Sequence, residues 1–192
     1  MKELEFTQEN IKRYYEGEFS AHLQSYFTMG SHGGKNNILA LTSYSNKNRQ
    51  HNAYPANSCE NNFIFSGLFL MMILVQQNLR RVIGDASDFL KCSGWPLISA
   101  GLAGPNFDAY RMLNEASLAP WNGEEQNYIK MLKSVTPFVC DEIKDFLVGE
   151  NPANLNMTHY LRLKKMVNGK VDDIINGIKN DVDRIIKQIE EV

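Results

Sequence analysis

The side chains whose types and spacing could do chemistry are acidic. Glu124 and Glu125 stand together near an expected helix start, and Asp141, Glu142 and Asp145 follow further along. Carboxylates at i and i+3 project from one helical face, and two such faces meeting in a bundle hold Mg²⁺ through oxygen ligands, with water completing the octahedron. On that reading Glu124, Glu125, Glu142 and Asp145 are the metal ligands. The simpler reading is that acids in a first helical turn complement the helix dipole and otherwise face solvent. Asp172-Asp173, at the start of the last expected helix, fits the simpler reading.

The acidic pattern resembles that of the all-α nucleotide pyrophosphohydrolases, which pair an EExxE helix with an ExxD helix. Glu142-Ile143-Lys144-Asp145 matches the second element, whereas Glu124-Glu125-Gln126-Asn127-Tyr128 has tyrosine where the third glutamate belongs. The resemblance is confined to residues 124–145 and implies a Mg-dependent hydrolase acting on nucleotides.

Other common chemistries lack their residues. Met29-Gly30-Ser31-His32-Gly33-Gly34-Lys35-Asn36 superficially recreates a phosphate loop, but it lacks the first glycine, has Asn36 after the lysine, and follows a helix pattern rather than a strand. His22, His32, His51 and His159 form no metal-ligand pair, so surface or hydrogen-bonded roles are expected. No GxSxG elbow occurs. Cys59, Cys92 and Cys140 are too far apart for a disulfide scaffold or zinc knuckle, and Cys92 and Cys140 lie among apolar neighbours as small buried hydrophobes.

The whole-chain charge excludes further classes. The 192 residues carry 20 basic and 22 acidic side chains, divided 9 to 8 up to Pro96 and 11 to 14 beyond it. A broad nucleic-acid or anionic-membrane footprint calls for a basic excess, so neither partner is expected. Arg80-Arg81 and Arg162 with Lys164-Lys165 read as solvated helix ends. The acidic start, Met1-Lys2-Glu3-Leu4-Glu5, has no apolar signal region, and a reducing cytoplasm is the expected compartment.

The elements that must position these residues are helical. From Thr7, an N-cap, to Met29, apolar residues recur at three- and four-residue steps with an aromatic face. Residues 31–62 carry eight asparagines and read as a long loop suited to partner contact. Phe63 to Val75, thirteen residues broken only by Ser66 and Gly67, is too short a run to cross a bilayer, so it reads as a central helix buried on every side and ending near Ile83. Short helices follow at 85–92, 97–103 and 106–118. Trp95 and Trp121 at helix boundaries read as core anchors. Asn122 with Glu125 forms a capping-box pattern, Pro137 predicts a kink or a new helix from Thr136, and another helix spans 153–167.

The last segment, 170–192, is the most regular. Val171, Ile175, Ile178, Val182, Ile185, Ile189 and Val192 form a heptad seam, widened by Ile174 and Ile186 as for a helix lying on a globular core. Intramolecular packing is expected, with a weak homodimer as the seam's other use. No window alternates with period two, so the expected fold is a single all-α domain, a bundle of seven to nine helices. Without a catalytic constellation, the leading functional expectation is a non-enzymatic interaction protein with a protein partner and no cofactor. Small bacterial immunity and antitoxin-like proteins, which neutralise another protein, offer the analogy of class. The Mg-dependent hydrolase is the alternative.

Overall fold

The computed structural model describes residues 4–19, 59–92, 125–149 and 157–191, and every regular element among them is an α-helix. We number these α1 (Gln8–Gly17), α2 (Cys59–Ile83), α3 (Ser87–Cys92), α4 (Glu125–Val148), α5 (Met157–Val167) and α6 (Val171–Glu190). The helices expected at 97–103 and 106–118, both tryptophans, Asn122 and most of the Asn-rich stretch lie outside the described residues. The expected loop over 31–62 is corrected at its end, because α2 already begins at Cys59. Glu60 in its first turn complements the dipole there.

Helices α2, α4 and α6 pack against one another and form the centre of the bundle. Leu68 through Val75 of α2 are each at most 2% exposed, because this helix has no polar face to offer solvent along that run. Residues 63–83 are long and apolar enough to cross a membrane by length and composition, with a mean hydropathy of 1.4, yet 89% of the most apolar 18-residue stretch is buried inside the protein. Gly67 lets α4 come close, since a Cβ there would run into Met131 Sδ. Polar side chains are buried along the same helix, and atoms of Ser66, Gln76 and Gln77 find no hydrogen-bond partner among the described residues.

The apolar seam of α6 faces inward as its spacing predicts: Ile174, Ile175, Ile178, Val182, Ile185, Ile186 and Ile189 are all buried. They pack on α2 and α4 of the same chain. Asp181 is buried in the same stripe, which the heptad pattern did not anticipate. Its carboxylate accepts a hydrogen bond from Asn78 Nδ2 at 2.9 Å and is flanked by Arg81 and Arg184 at 3.6 and 3.3 Å. Gly177 is the small residue that admits Asn78, whose Oδ1 would collide with a Cβ there.

The peripheral helices follow from local chemistry. Thr7 caps α1 by accepting from Asn10 N at 3.2 Å, and Gln8 Nε2 donates to Ser134 O at 2.7 Å to fasten α1 to α4. Gly84 and Gly169, with φ of 81° and 74°, supply the left-handed turns after α2 and α5. Phe146 of α4 stands edge-on to both Phe89 of α3 and Tyr160 of α5, each 5.6 Å away between ring centroids, so one aromatic ring joins three helices.

Candidate functional site

Of the acidic residues expected to share a metal, Glu125, Glu142 and Asp145 lie on one helix instead of two. Pro137 sits inside the continuous α4, so of the two expectations, a kink or a new helix from Thr136, the new helix is absent. Its flanks explain why: Val135, Thr136, Phe138 and Val139 are all buried, and that burial outweighs the single backbone bond a proline removes. Thr136 Oγ1 donates to Leu132 O at 2.6 Å, tightening the turn. Glu125 in the first turn and Glu142 near the end are therefore separated by about 25 Å along the axis at 1.5 Å per residue, beyond the reach of one ion. Glu142 and Asp145 are exposed side by side, and Glu124 lies outside the described residues. Among the described residues no three His, Cys, Asp or Glu side chains gather around a metal position.

What surrounds Glu142 is mostly like charge. Partial burial, Asp145 and Glu16 push its carboxyl above the ordinary 4.5, with Lys12 opposing them. A carboxyl with a raised folded-state pKa opposes folding once ionised, so the penalty is absent in acid and appears as pH rises past the unfolded value. Glu142→Gln should therefore stabilise the fold slightly at neutral pH, by about a few tenths of a kcal/mol after solvent screening, and so raise the melting temperature marginally. The gain should vanish below about pH 4. Millimolar Mg²⁺ should leave the melting temperature of both proteins unchanged. A Mg²⁺-dependent rise in the wild type that Glu142→Gln abolishes would instead mean a bound ion.

The most developed polar cluster was not visible as a motif. Asp88 on α3 is 6% exposed and its carboxylate accepts from His159 Nδ1 at 2.6 Å. The Arg162 fork donates to the same group, Nε at 3.2 Å and Nη2 at 2.8 Å. Burial raises the Asp88 pKa, but the hydrogen bonds from His159 and Arg162 outweigh it, so the net shift is downward. The pair has the Asp-His half of a catalytic triad. The bidentate arginine changes its meaning, because it already neutralises the carboxylate that would have to stabilise an imidazolium. Cys92, one turn beyond Asp88, is no nucleophile: burial, with Asp88 adding to it, pushes its thiol up to about 11. The cluster is a clamp between α3 and α5.

That clamp fixes which face of α5 looks outward. Tyr160, Leu163 and Val167 are buried. Tyr160 Oη and Lys164 Nζ donate to Gly149 O at 2.8 and 2.6 Å, satisfying a carbonyl just beyond the end of α4. Lys164 also lies 5.4 Å from the Tyr160 ring centroid. Among the described residues the large apolar side chains left exposed are Val148 at 58%, at the end of α4, and Met157 at 39% and Leu161 at 58%, one turn apart on α5. A helical projection of the sequence could have found Leu161, because it falls about 125° off the stripe through Tyr160, Leu163 and Val167. The Asp88 clamp gave no such signal, its partners being 71 and 74 residues away.

Compared with known proteins, the chain matches no family model, no curated protein and no solved structure.

Proposed function

We propose that this protein is a non-enzymatic helical interaction protein that acts by binding another protein, in the manner of small immunity or antitoxin-like proteins. The observation that carries the reading is the exposure of Met157 and Leu161, one turn apart on an α5 that Asp88 ties to α3 through His159 and Arg162. On this reading the two side chains form the centre of a contact surface, the use to which contiguous exposed apolar area is put. The proposal includes a bundle of seven to nine helices, with the Asn-rich stretch before α2 as a second contact region. A reducing compartment, the cytoplasm, fits Cys92 and Cys140, both free thiols and buried. The Mg-dependent pyrophosphohydrolase alternative is weakened by the separation of Glu125 from Glu142 on one helix.

The test is affinity capture from the native host followed by reconstitution with the purified partner. A stoichiometric complex by size exclusion with light scattering, together with no Mg²⁺-dependent nucleotide turnover, is the expected result. Turnover of a nucleoside triphosphate that Glu142→Gln abolishes would overturn it.

A further inference from the structure

We infer that α3 and α5 form a two-helix cap on one end of the core of α2, α4 and α6, and that this cap opens from the core as a single body, its two helices held together by the Asp88 clamp. The packing divides in this way. Each of α2, α4 and α6 packs extensively on the other two, whereas among the described helices α3 packs chiefly on α5, and α5 reaches α4 through a smaller contact. The core's own pairings identify the end that is capped. Lys144, near the end of α4, lies 3.9 Å from Asp172 at the start of α6, and Asn78, near the end of α2, fits against Gly177. At this same end α2 leads into α3, and α5 leads into α6.

The cap is joined within itself more firmly than it is tied down. Inside it, the buried Asp88 carboxylate accepts from His159 Nδ1 and from two nitrogens of Arg162, and hydrogen bonds between ionised groups are about twice as strong as neutral ones. Toward the core, Tyr160 Oη and Lys164 Nζ share one neutral acceptor, Gly149 O, and Phe146 stands edge-on to Phe89 and Tyr160. The junctions α2 to α3 and α5 to α6 both turn on a glycine in the left-handed region, Gly84 and Gly169. A Cβ at either would meet nothing within 4 Å, so no neighbouring group packs these turns in place. A unit with few ties to its core opens at a lower free energy than global unfolding. Opening uncovers the rings of Phe146, Phe89 and Tyr160, the last two at most 2% exposed in the closed bundle.

Native-state hydrogen exchange of the full-length protein in graded, sub-denaturing denaturant tests this. Amides of 90–92 in α3 and 161–167 in α5 should follow one opening curve, and exchange about tenfold or more faster than the slowest amides of α2, α4 and α6. The Lys164→Met, Tyr160→Phe double variant removes both donors to Gly149 O and leaves Asp88 untouched. It should speed exchange in α3 and α5 by one common factor of about tenfold, because α3 cannot open without α5. Arg162→Met acts oppositely, since the clamp it weakens survives in the open cap. The Arg162 side chain is 61% exposed, so the variant should fold, and its α3 amides should exchange about tenfold ahead of an unchanged α5. Separate opening curves for α3 and α5 in the wild type would overturn the inference, as would cap amides that exchange no faster than the core. So would α3 exchange that the double variant leaves unmoved, or equal acceleration of α3 and α5 by Arg162→Met.

Discussion

Ile178→Asp is expected to be the most damaging single change in the C-terminal half. Ile178 is 0% exposed on the inward stripe of α6. The substitution removes a burial worth about 2 to 3 kcal/mol and forces a carboxylate into the same apolar contact. A combined loss of about 4 kcal/mol or more is a large share of the 5 to 15 kcal/mol that usually holds a domain together. For a chain of this length the melting temperature should fall by about 10 °C or more. Asn180→Asp, two positions on and exposed, introduces the same charge and should leave the transition unmoved. A folded Ile178→Asp protein melting with the wild type would mean that α6 does not form part of the core.

The second large effect concerns the polar cluster between α2 and α6, and its size depends on whether one or both partners are changed. Asn78 is 0% exposed; its amide donates to Leu74 O at 2.8 Å and to Asp181 at 2.9 Å. Its Oδ1 accepts from Arg81 at 3.0 Å. Asn78→Leu keeps the branched shape of the side chain but leaves the buried Asp181 carboxylate facing an apolar group, an expected loss of about 3 kcal/mol. Asp181→Leu alone strands one amide hydrogen of Asn78 and should cost about 1 to 2 kcal/mol. Arg81 and Arg184 limit both losses, because their side chains are 43% and 52% exposed and can turn to water. With both residues changed to leucine no buried polar group is left unpaired. The double variant should therefore recover to within about 1 kcal/mol of the wild type. Denaturant titration of the four proteins checks this. Additive losses in the double variant would show that the polar pair itself, and not the cost of breaking it, stabilises the α2–α6 contact.

The parts of the fold legible in the sequence are those set by local periodicity. The inward stripe of α6, the Thr7 cap, the stop after Ile83 and the burial of α2 all follow from residues within a few turns of each other. Asp181 marks the limit. Within the Ile and Val seam it reads as one more charged residue, and only Asn78, 103 positions earlier, makes its burial tolerable. The Asp88 clamp was hidden for the same reason. Pro137 shows the limit from the other side: of the kink or new helix that local rules predict there, the new helix does not form, because the buried residues on both sides carry α4 through it. That continuity separates Glu125 from Glu142 and so dismantles the acidic pairing that spacing alone suggested. The exposed pair on α5 lay in plain view, but an exposed leucine acquires meaning only once the other face of its helix is known to be buried.

The claim on which the rest depends is that α2, apolar enough to span a bilayer, is instead buried against α4 and α6 as their shared core. Native-state hydrogen exchange on protein purified without detergent tests it most directly. Amides of Leu68 to Val75, Leu132 to Ile143 and Ile175 to Ile186 should exchange together and slowest, through global unfolding alone. Recovery of the protein only from the membrane fraction, or α2 amides that exchange faster than those of α4 and α6, would contradict the account.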